Sequence, residues 1–583
     1  MLNRLLDSVW GQASSLLVAP IRRRRWVDLL VLAAFAGLTY ALVFAGRQWT
    51  AAQVPEVTID LSLHSLPKYA FLTLVRAGFA FAISLSFALV VAYWAAKDPL
   101  AERVLIPLLD ILQSIPLLAF MPAVLITMMG LFPHSNLGLE LSAAILIFTS
   151  QAWNMAFSFY QSLKTVPKEL EETSRLFAFT WWERLKWVEL PFATPALVWN
   201  SMVSVANGWF FLMVSEIFTL GNRSFRLQGL GSFVAVAAEE GNVRAQIYGI
   251  ATMLLLVVLL DQLVWKPVVA WSQRFLVDEA AEVDRHSSWI LQFLRKSRLW
   301  RWLEHRRQMR LLSARPKAPV ILEKTRAKFR HPGRLASWFA VGALVGLLLA
   351  LSSGTIALVR LLMQVPLHEY GHLMEAGAAS LGRVLLSTLL ATVWTVPVGL
   401  AIGLNPRLSK QLQPLVQMVA SFPATILFPT MIVALAAMGI TLNYTSILLM
   451  LLGTQWYMLF NIIAGAQAIP MDLREAADAY HFSLWQRLKT LYLPAIFPYL
   501  VTGWVTATGG AWNASIVSEF FKMKGNTIVA FGLGSKVALA ADNDQKPMLA
   551  ASAILMALLV VLFNRLVWAP LYRLAEDRYS LER

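Results

Sequence analysis

The chain is 583 residues long, of which 58% are hydrophobic and 14% charged, whereas a typical soluble domain has about 25% charged residues. Its mean hydropathy is +0.59, and its apolar residues recur as long blocks, which excludes a disordered chain, a coiled coil and a cytosolic enzyme with membrane tethers. It contains no cysteine, which excludes a secreted disulfide scaffold and thiolate metal sites. The composition predicts a polytopic protein of the lipid bilayer.

The net charge of +16 comes from Lys and Arg residues in loops beside the apolar blocks. This distribution is typical of positive-inside bias and does not indicate a nucleic-acid partner. The first cluster, Arg22 to Arg25, precedes an apolar block at 26–46, which at about 1.5 Å per residue is long enough to cross a bilayer. We interpret this block as an uncleaved first span that follows a cytoplasmic cluster.

Eleven further apolar blocks are long enough to cross a bilayer. Together they predict an all-α integral membrane fold of about twelve transmembrane helices, with both termini on the cytoplasmic side because the basic loops alternate with the blocks. The blocks lie at 69–95, 103–131, 138–162, 194–220, 244–265, 335–362, 382–404, 411–438, 442–466, 495–521 and 547–568.

A long internal repeat relates the two halves of the chain. At an offset of 303 residues, 172–191 aligns with 475–494, and the sequence Gly-Leu-Gly-Ser at 229–232 recurs at 532–535. Each copy has six predicted spans, an even number, so both enter the membrane in the same orientation as parallel six-helix repeats. Two like bundles about a shared axis favour a transport pathway over a membrane anchor.

The repeat divides the chain into six predicted parts. The basic linker among them is interpreted as a solvated segment along an anionic membrane surface, with partner or lipid-headgroup binding as the alternative. The parts are 1–68, a basic segment with the first span and an outer loop; 69–268, the first repeat; 269–334, the cytoplasmic linker; 335–381, the seventh span and an outer loop; 382–571, the second repeat; and 572–583, a cytoplasmic tail.

A motif recurs in the predicted cytoplasmic loop between the fourth and fifth spans of each copy. Glu172 and Glu475 each precede a Leu-Pro pair, which ends at Pro191 and Pro494. The pattern resembles the EAA loop of binding-protein-dependent ABC importer permeases, and the resemblance covers about 69–268 and 375–571. In that family the loop forms a short helix along the membrane, which docks in a groove of the ATPase subunit and transmits its closure.

The resemblance therefore implies that both loops couple the chain to ATPase subunits. The second copy keeps Glu-Ala-Ala, the first reads Glu-Thr-Ser, and Ala178 and His481 replace the family's glycine six residues after the glutamate. The implied coupling residues are Glu172, Ala178, Arg184, Pro191, Glu475, Ala476, Ala477, His481, Arg487 and Pro494.

The sequence looks most like the nitrate, sulfonate and taurine branch, judged by 113–116 and by the Trp209…Glu216 and Trp512…Glu519 patterns. This resemblance implies a type I ABC importer permease-like fold in a bacterial inner membrane, a small anionic solute, two ABC ATPase subunits and a periplasmic or extracellular solute-binding protein. The sequence has no G-x-x-x-x-G-K-[ST] spacing, so we expect no cofactor on this chain and ATP with Mg²⁺ on the partner ATPase. An ABC membrane subunit that acts without a binding protein is an alternative.

Four charged residues fall within predicted spans at a shared depth near the outer side: Arg76, Glu216, Arg383 and Glu519. Because an unpaired charge there costs at least about 2.5 kcal/mol, we predict that Arg76 pairs with Glu216 and Arg383 with Glu519. A gate brace or packing clamp is favoured over direct contact with the solute.

A Ser-x-Pro motif recurs within predicted spans, at Ser114 with Pro116 and at Ser421 with Pro423. Proline interrupts a helix, and the freed carbonyls and the hydroxyls are suited to lining a polar pathway. A kink that serves only packing is the equal alternative.

The segment His368-Glu369-Tyr370-Gly371-His372 matches the H-E-x-x-H spacing of zinc sites and resembles a motif of intramembrane metalloproteases. It lies on the predicted outer side and is absent from the first repeat, and no later Asp-Gly supplies the third ligand that those proteases use. We therefore expect no metal site, and keep a zinc metalloprotease centred on His368, Glu369 and His372 as the alternative. A contact to a binding protein would also account for the segment.

Overall fold

The structure, a computed structural model, describes residues 43–44, 46–51, 57–220, 223–275, 306, 353–420, 422–523 and 526–579. Most of the predicted first and seventh spans and most of the predicted linker lie outside these residues. The chain divides into two compact units, a small one of Met1–Arg47, Pro167–Pro195 and Gln262–Lys324 and a large one of Gln48–Val166, Ala196–Asp261 and Thr325–Arg583.

The first repeat consists of helices, short turns and one β-hairpin. It also contains 3₁₀-helices at Leu63–Ser65, Leu117–Phe120 and Gln273–Phe275. Two π-helical turns lie at Leu185–Glu189 and Asp261–Trp265. Its elements are α1 (Leu66–Lys97), α2 (Pro99–Ser114), α3 (Met121–Leu131), α4 (Leu137–Lys164), α5 (Lys168–Leu176), α6 (Trp181–Arg184), α7 (Leu190–Ser215), β1 (Ile217–Leu220), β2 (Arg223–Arg226), α8 (Leu230–Glu239), α9 (Val243–Leu260) and α10 (Lys266–Ser272).

The second repeat has the same order of elements, with a 3₁₀-helix at Ala424–Leu427 and π-helical turns at Leu488–Tyr492 and Asn564–Trp568. A short apolar helix, Ser353–Leu362, precedes it. Its elements are α11 (Leu367–Leu404), α12 (Pro406–Ala420), α13 (Phe428–Ala437), α14 (Leu442–Gln467), α15 (Met471–Ala479), α16 (Leu484–Arg487), α17 (Leu493–Ser518), β3 (Phe520–Met523), β4 (Asn526–Val529), α18 (Leu533–Asp542), α19 (Lys546–Phe563) and α20 (Ala569–Tyr579).

Six helices among the described residues are long and apolar enough to cross a membrane. Each coincides with a predicted span, so the all-α integral membrane class is confirmed and the protein is a multi-pass membrane protein. Exposed apolar side chains such as Leu389 and Val393 on α11 suit a lipid-facing surface. The six are Leu63–Lys97, Trp181–Ser215, Val243–Phe275, Leu367–Leu404, Leu442–Gln467 and Lys546–Tyr579.

Two predicted spans, 103–131 and 411–438, are interrupted where the Ser-x-Pro motifs predict. Each is split into two helices by a short turn that begins after Pro116 or Pro423. Both prolines adopt extended backbone, with ψ of 110° and 105°, and proline has no N–H for a helical hydrogen bond. The predicted interruptions at Pro116 and Pro423 are therefore present.

The predicted spans 194–220 and 495–521 are also too long at their ends. The helices stop at Ser215 and Ser518, and the chain continues into antiparallel hairpins that pair Ile217 with Arg226 and Phe520 with Val529. Aromatic and β-branched residues around a two-residue, glycine-containing link favour a hairpin over a helix. We call this end of each repeat the hairpin end. The predicted outer loop before 382 also differs, because α11 is already helical from Leu367.

The large unit contains a core that both repeats share. In the second repeat, α14 packs against α11 and α17. In the first repeat, α1 packs against α4. Small residues allow close approach, because a Cβ added at Gly403 would lie 2.6 Å from the Ala466 Cβ. A cluster around Trp512 in the second repeat includes Leu118 and Phe210 from the first. The two repeats therefore meet along an apolar contact in the large unit.

Candidate functional site

The first candidate feature is a buried group of charged and polar side chains at the hairpin end of the first repeat, which we call the first clamp. The Arg76 guanidinium donates to both oxygens of Glu140, at 2.6 and 2.9 Å, and to Glu216 Oε1 at 2.5 Å. Glu216 also accepts from the Thr73 hydroxyl at 2.7 Å and from the Gly231 N–H at 2.6 Å. Every one of these side chains is buried, so the clamp joins α1, α4, α7 and α8 away from water.

The second repeat carries a related group, which we call the second clamp. Arg383 donates to Glu519 Oε1 at 3.0 Å and to the Asn443 side-chain oxygen at 2.8 Å. Ser380 donates to the Glu519 carboxylate at 2.7 Å, and the Ser535 N–H does so at 3.3 Å. Both predicted ion pairs are therefore present, and in the second clamp an asparagine occupies the place of Glu140.

Two glycines give the clamp glutamates access to a helix N-terminus. A Cβ added at Gly229 would lie 2.2 Å from the Glu216 Cδ, and one at Gly532 would lie 2.2 Å from the Glu519 Oε2. Both glycines have extended backbone, so the reason for glycine is the close approach and not the conformation. The N-terminal ends of α8 and α18 stabilise the negative charge of these carboxylates, which explains why Gly-Leu-Gly-Ser is repeated.

Sequence reasoning missed Thr73, Glu140, Ser380 and Asn443. The repeat carries the signal that identifies them. Early in each copy the offset is 307 residues, which aligns Thr73 with Ser380, and the offset of 303 aligns Glu140 with Asn443. Complete burial of Arg76 and Glu216 favours a brace over contact with a solute. That role stays a prediction.

The predicted coupling loop of the first repeat, at Pro167–Pro195, lies in the small unit; we call it the first coupling loop and its counterpart in the second repeat the second coupling loop. A capping box joins Thr180 and Glu183 at the start of α6, where the Thr180 N–H and hydroxyl both donate to the Glu183 carboxylate, at 2.9 and 2.8 Å. Arg184 lies 2.5 Å from a Glu171 oxygen and 2.7 Å from a Glu189 oxygen, so it ties α5 to the π-helical turn. Glu172 is exposed.

The second coupling loop repeats this arrangement within the large unit. Ser483 and Gln486 form a capping box at α16, and Arg487 pairs with Asp478 at 2.5 Å. Arg474 donates to the Ala466 carbonyl at 2.6 Å and so fixes α15 to α14. Glu475 and Ala476 are exposed, whereas Ala477 is buried.

The turn after each coupling helix keeps a left-handed residue without glycine. Ala178 and His481 have φ of 49° and 50°, and in both copies the helix closes with hydrogen bonds typical of a glycine-terminated helix, such as Phe179 N–H to the Ser174 carbonyl at 3.0 Å. Pro191 and Pro494 lie in the first turn of α7 and α17, where a missing N–H is tolerated. Large apolar side chains at these turns are exposed: Leu176, Trp181 and Trp182 in the first copy and Tyr480, Leu484 and Trp485 in the second.

A third feature is the contact between the two repeats in the large unit, which we call the seam. Asn513 on α17 accepts a hydrogen bond from the Leu117 N–H at 2.7 Å, just after the Pro116 interruption. Tyr457 on α14 donates to Asn207 on α7 at 2.7 Å. Pro116 and Pro423 are buried. Of the predicted pathway residues, Ser421 lies outside the described residues, and the structure describes the backbone of Ser114 alone.

The H-E-x-x-H segment forms the first turns of α11. The side chains of His368 and His372 are 72% and 59% exposed, and their nearest carboxylates, Glu369 and Glu375, lie at 3.6 and 3.4 Å. In the described part of the chain, no three His, Cys, Asp or Glu residues are grouped so that they could hold a metal ion. Nothing in this geometry favours the protease alternative.

The fold and the duplicated coupling loops agree with a comparison of the chain with known families. The family described as "Binding-protein-dependent transport system inner membrane component" matches residues 84–264 and 395–569, one match in each repeat. These regions span more than half of the chain, so the chain belongs to this family of membrane permeases, and the duplication is confirmed.

Curated relatives match shorter stretches. The bicarbonate transport system permease protein CmpB of Synechococcus elongatus is 31% identical over 24% of this chain and 49% of its own length, and the nitrate import permease protein NrtB of the same organism is 27% identical over 25% and 51%. The taurine transport system permease protein TauC of Escherichia coli is 28% identical over 24% and 50%. The chain spans about half the length of these relatives. A solved chain of the MetNI methionine ABC transporter matches with 18% identity and a TM-score of 0.30, over 36% of this chain and 99% of its own.

Proposed function

We propose that the chain forms the transmembrane pathway of an ABC importer for a small anion. Two partner ATPase subunits bind ATP and Mg²⁺ and dock on the two coupling loops, and a solute-binding protein delivers the solute at the hairpin end. The relatives named for bicarbonate, nitrate and taurine support this solute class. The chain lies in a bacterial inner membrane with both termini cytoplasmic.

The observation that carries this proposal is the paired coupling loop. Both copies present an exposed glutamate, a left-handed turn and exposed aromatic side chains on a short helix that is braced by an arginine ion pair. Exposed apolar patches rimmed by polar residues mark protein contact sites. Because each repeat presents one such surface, the proposal requires two ATPase contacts per chain.

The seam supports the transport role. Its hairpin end is filled by an apolar cluster that includes Leu118, Phe210 and Trp512. Two hydrogen bonds cross the seam, one from the Tyr457 hydroxyl to Asn207 and one from the Leu117 N–H to Asn513. A pathway between two bundles needs an end that closes and a polar lining. The packed cluster supplies the closed end on the side where the binding protein docks.

The test is to purify the tagged chain from its own membranes, identify its partners by mass spectrometry and measure ATP hydrolysis. We expect two ATPase subunits to copurify, with partial loss in Glu172→Ala or Glu475→Ala and complete loss in the double variant. Glu240→Ala, which changes an exposed carboxylate at the hairpin end, is the matched control and retains the subunits. A chain that purifies without an ATPase contradicts the proposal, and ATP hydrolysis that no binding protein stimulates would favour the alternative subunit without a binding protein.

A further inference from the structure

One helix of the seam has a polar face that its counterpart in the other repeat lacks. Along α17, four residues spaced by four, three and four positions share one face. We call them the polar stripe: Thr502, Thr506, Gly509 and Asn513. The internal offset places Trp199, Val203, Ala206 and Phe210 at the corresponding positions of α7. The two copies therefore share the helix but differ in polarity at these four positions.

The stripe is open in the large unit. Thr506 and Gly509 are exposed, and Thr502 and Asn513 are half-buried, whereas Ala507 and Ala511 on other faces of α17 are buried. Thr506 lies near the middle of α17, which covers most of the predicted span 495–521. An exposed polar face at that depth marks a water-filled cavity or a lipid contact.

The contacts at the end of the stripe distinguish these two possibilities. Asn513 reaches the first repeat, where it accepts from the Leu117 N–H. One turn away, the Tyr457 ring packs against Gly510, whose added Cβ would lie 3.3 Å from the ring, and the Tyr457 hydroxyl reaches Asn207 of the first repeat. A face that ends on the other repeat is turned toward the seam and not toward lipid.

The chemistry of these groups is neutral. The side-chain oxygens of Asn207 and Asn513 already accept hydrogen bonds. The Thr502 and Thr506 hydroxyls donate to carbonyls of their own helix, and one N–H of the Asn513 amide donates to the Gly509 carbonyl at 3.2 Å. Among these described groups, the second N–H of Asn513 and the Asn207 amide are left to donate to a solute. Amide donors suit a solute with acceptor oxygens, and the absence of a fixed charge on the stripe allows such a solute to leave again. In the first repeat, Asn154 corresponds to Tyr457. Its amide donates within the same repeat, to the Asn200 carbonyl and to the Ser204 hydroxyl.

We propose that the polar stripe of α17, together with Tyr457 and with Asn207 of the first repeat, lines the solute path and selects small oxyanions through neutral donors. The α7 residues that correspond to the stripe form an apolar wall. This inference rests on the proposed transport function and deepens it, because it assigns the solute contacts mainly to one repeat.

The chain has no cysteine, so single cysteines report water access without further engineering. The variants are Thr506→Cys and Asn513→Cys, and Val393→Cys on α11 is the matched control because Val393 is 67% exposed on an apolar face. The probes are sulfonatoethyl methanethiosulfonate, an anion, and its trimethylammonioethyl analogue, a cation. Both are applied to the purified complex with its ATPase subunits during ATP turnover.

We expect the anion to label Thr506→Cys at least about tenfold faster than Val393→Cys, because a thiol in apolar surroundings stays protonated and unreactive. We also expect the ratio of anion to cation labelling rates at Thr506→Cys to exceed the ratio measured for 2-mercaptoethanol, because a free thiolate in water reacts faster with the cation. Asn513→Cys gives a second measurement if Thr506→Cys does not fold. Labelling no faster than at Val393→Cys, or a ratio of anion to cation rates no higher than that of 2-mercaptoethanol, overturns the inference. Absence of copurifying ATPase subunits contradicts the transport proposal instead, so the two failures are distinguishable.

Discussion

The two clamps are built on one plan but differ in charge and closure. In both, an arginine on the first helix of the repeat pairs with a glutamate that caps the helix after the hairpin. The first clamp adds Glu140 and seals Arg76 from water, whereas the second has Asn443 there and leaves the Arg383 side chain 11% exposed.

This difference separates what the repeat preserves from what it varies. The pair and the helix N-terminus are preserved, because a lone carboxylate buried in a membrane is costly. The third side chain varies, since an arginine that already has one carboxylate partner can bond either a second carboxylate or an amide. The first clamp therefore holds two carboxylates against one guanidinium, and the second holds one.

Removal of the arginine should affect the first clamp most. Arg76→Met leaves both Glu140 and Glu216 buried without a cation, and we expect a loss of about 3 to 5 kcal/mol of stability. Arg383→Met strands only Glu519 and should cost less. Thermal unfolding of the purified variants, monitored by size-exclusion chromatography, measures the stability loss of each variant.

The paired double variants sharpen this test. Arg383→Met with Glu519→Gln should recover most of the lost stability, whereas Arg76→Met with Glu216→Gln should not, because Glu140 remains charged. Equal recovery in the two repeats would show that Glu140 does not share the arginine charge.

A methyl group on the clamp glycines should affect both repeats alike. Gly229→Ala and Gly532→Ala each place a Cβ 2.2 Å from a glutamate carboxyl group, and we expect each to lower stability by about 1 to 3 kcal/mol. Gly78→Ala on α1 is the control, because nothing lies within 4 Å of the added Cβ. A loss confined to one repeat, measured by thermal unfolding, would mean that only one glutamate depends on the close approach.

Exchange of the third clamp residue should have a smaller effect. Glu140→Asn converts the first clamp into the second and removes a hydrogen-bonded partner of Arg76, so we expect a loss of about 1 to 2 kcal/mol. Asn443→Glu should change stability by less than about 1 kcal/mol, because Arg383 is partly exposed. Melting temperatures of the two variants test this order, and the opposite order would contradict the structural difference.

The smallest effect is expected at the coupling turns, which the two repeats share. Ala178→Gly and His481→Gly relieve a left-handed residue, and we expect each to raise stability by at most about 1 kcal/mol, reduced by the greater freedom of glycine in the unfolded chain. Ala476→Gly inside α15 is the control with the opposite sign, since glycine weakens a helix interior by about 1 kcal/mol. A lower melting temperature for both turn variants would contradict a left-handed turn.

Much of the fold could be predicted from the sequence because apolar length and repetition are local signals. Spans such as 244–265 and 442–466 fall on observed helices, and the repeat predicted both ion pairs. The breaks at Pro116 and Pro423 were visible as motifs, but the spans around them were drawn as continuous because hydropathy does not register a missing hydrogen bond. The hairpins after Ser215 and Ser518 were missed because their residues are as apolar as the helices that precede them.

The sequence by itself determined that this is a duplicated membrane protein with the same loop motif in both copies, because hydropathy and internal identity are properties of the chain alone. Only the tertiary structure decided which polar side chains meet. Thr73 and Glu140 join Arg76 from distant helices, and Asn513 reaches Leu117 of the other repeat. Such contacts depend on helix rotation and packing between segments far apart in the chain, and no local pattern encodes them.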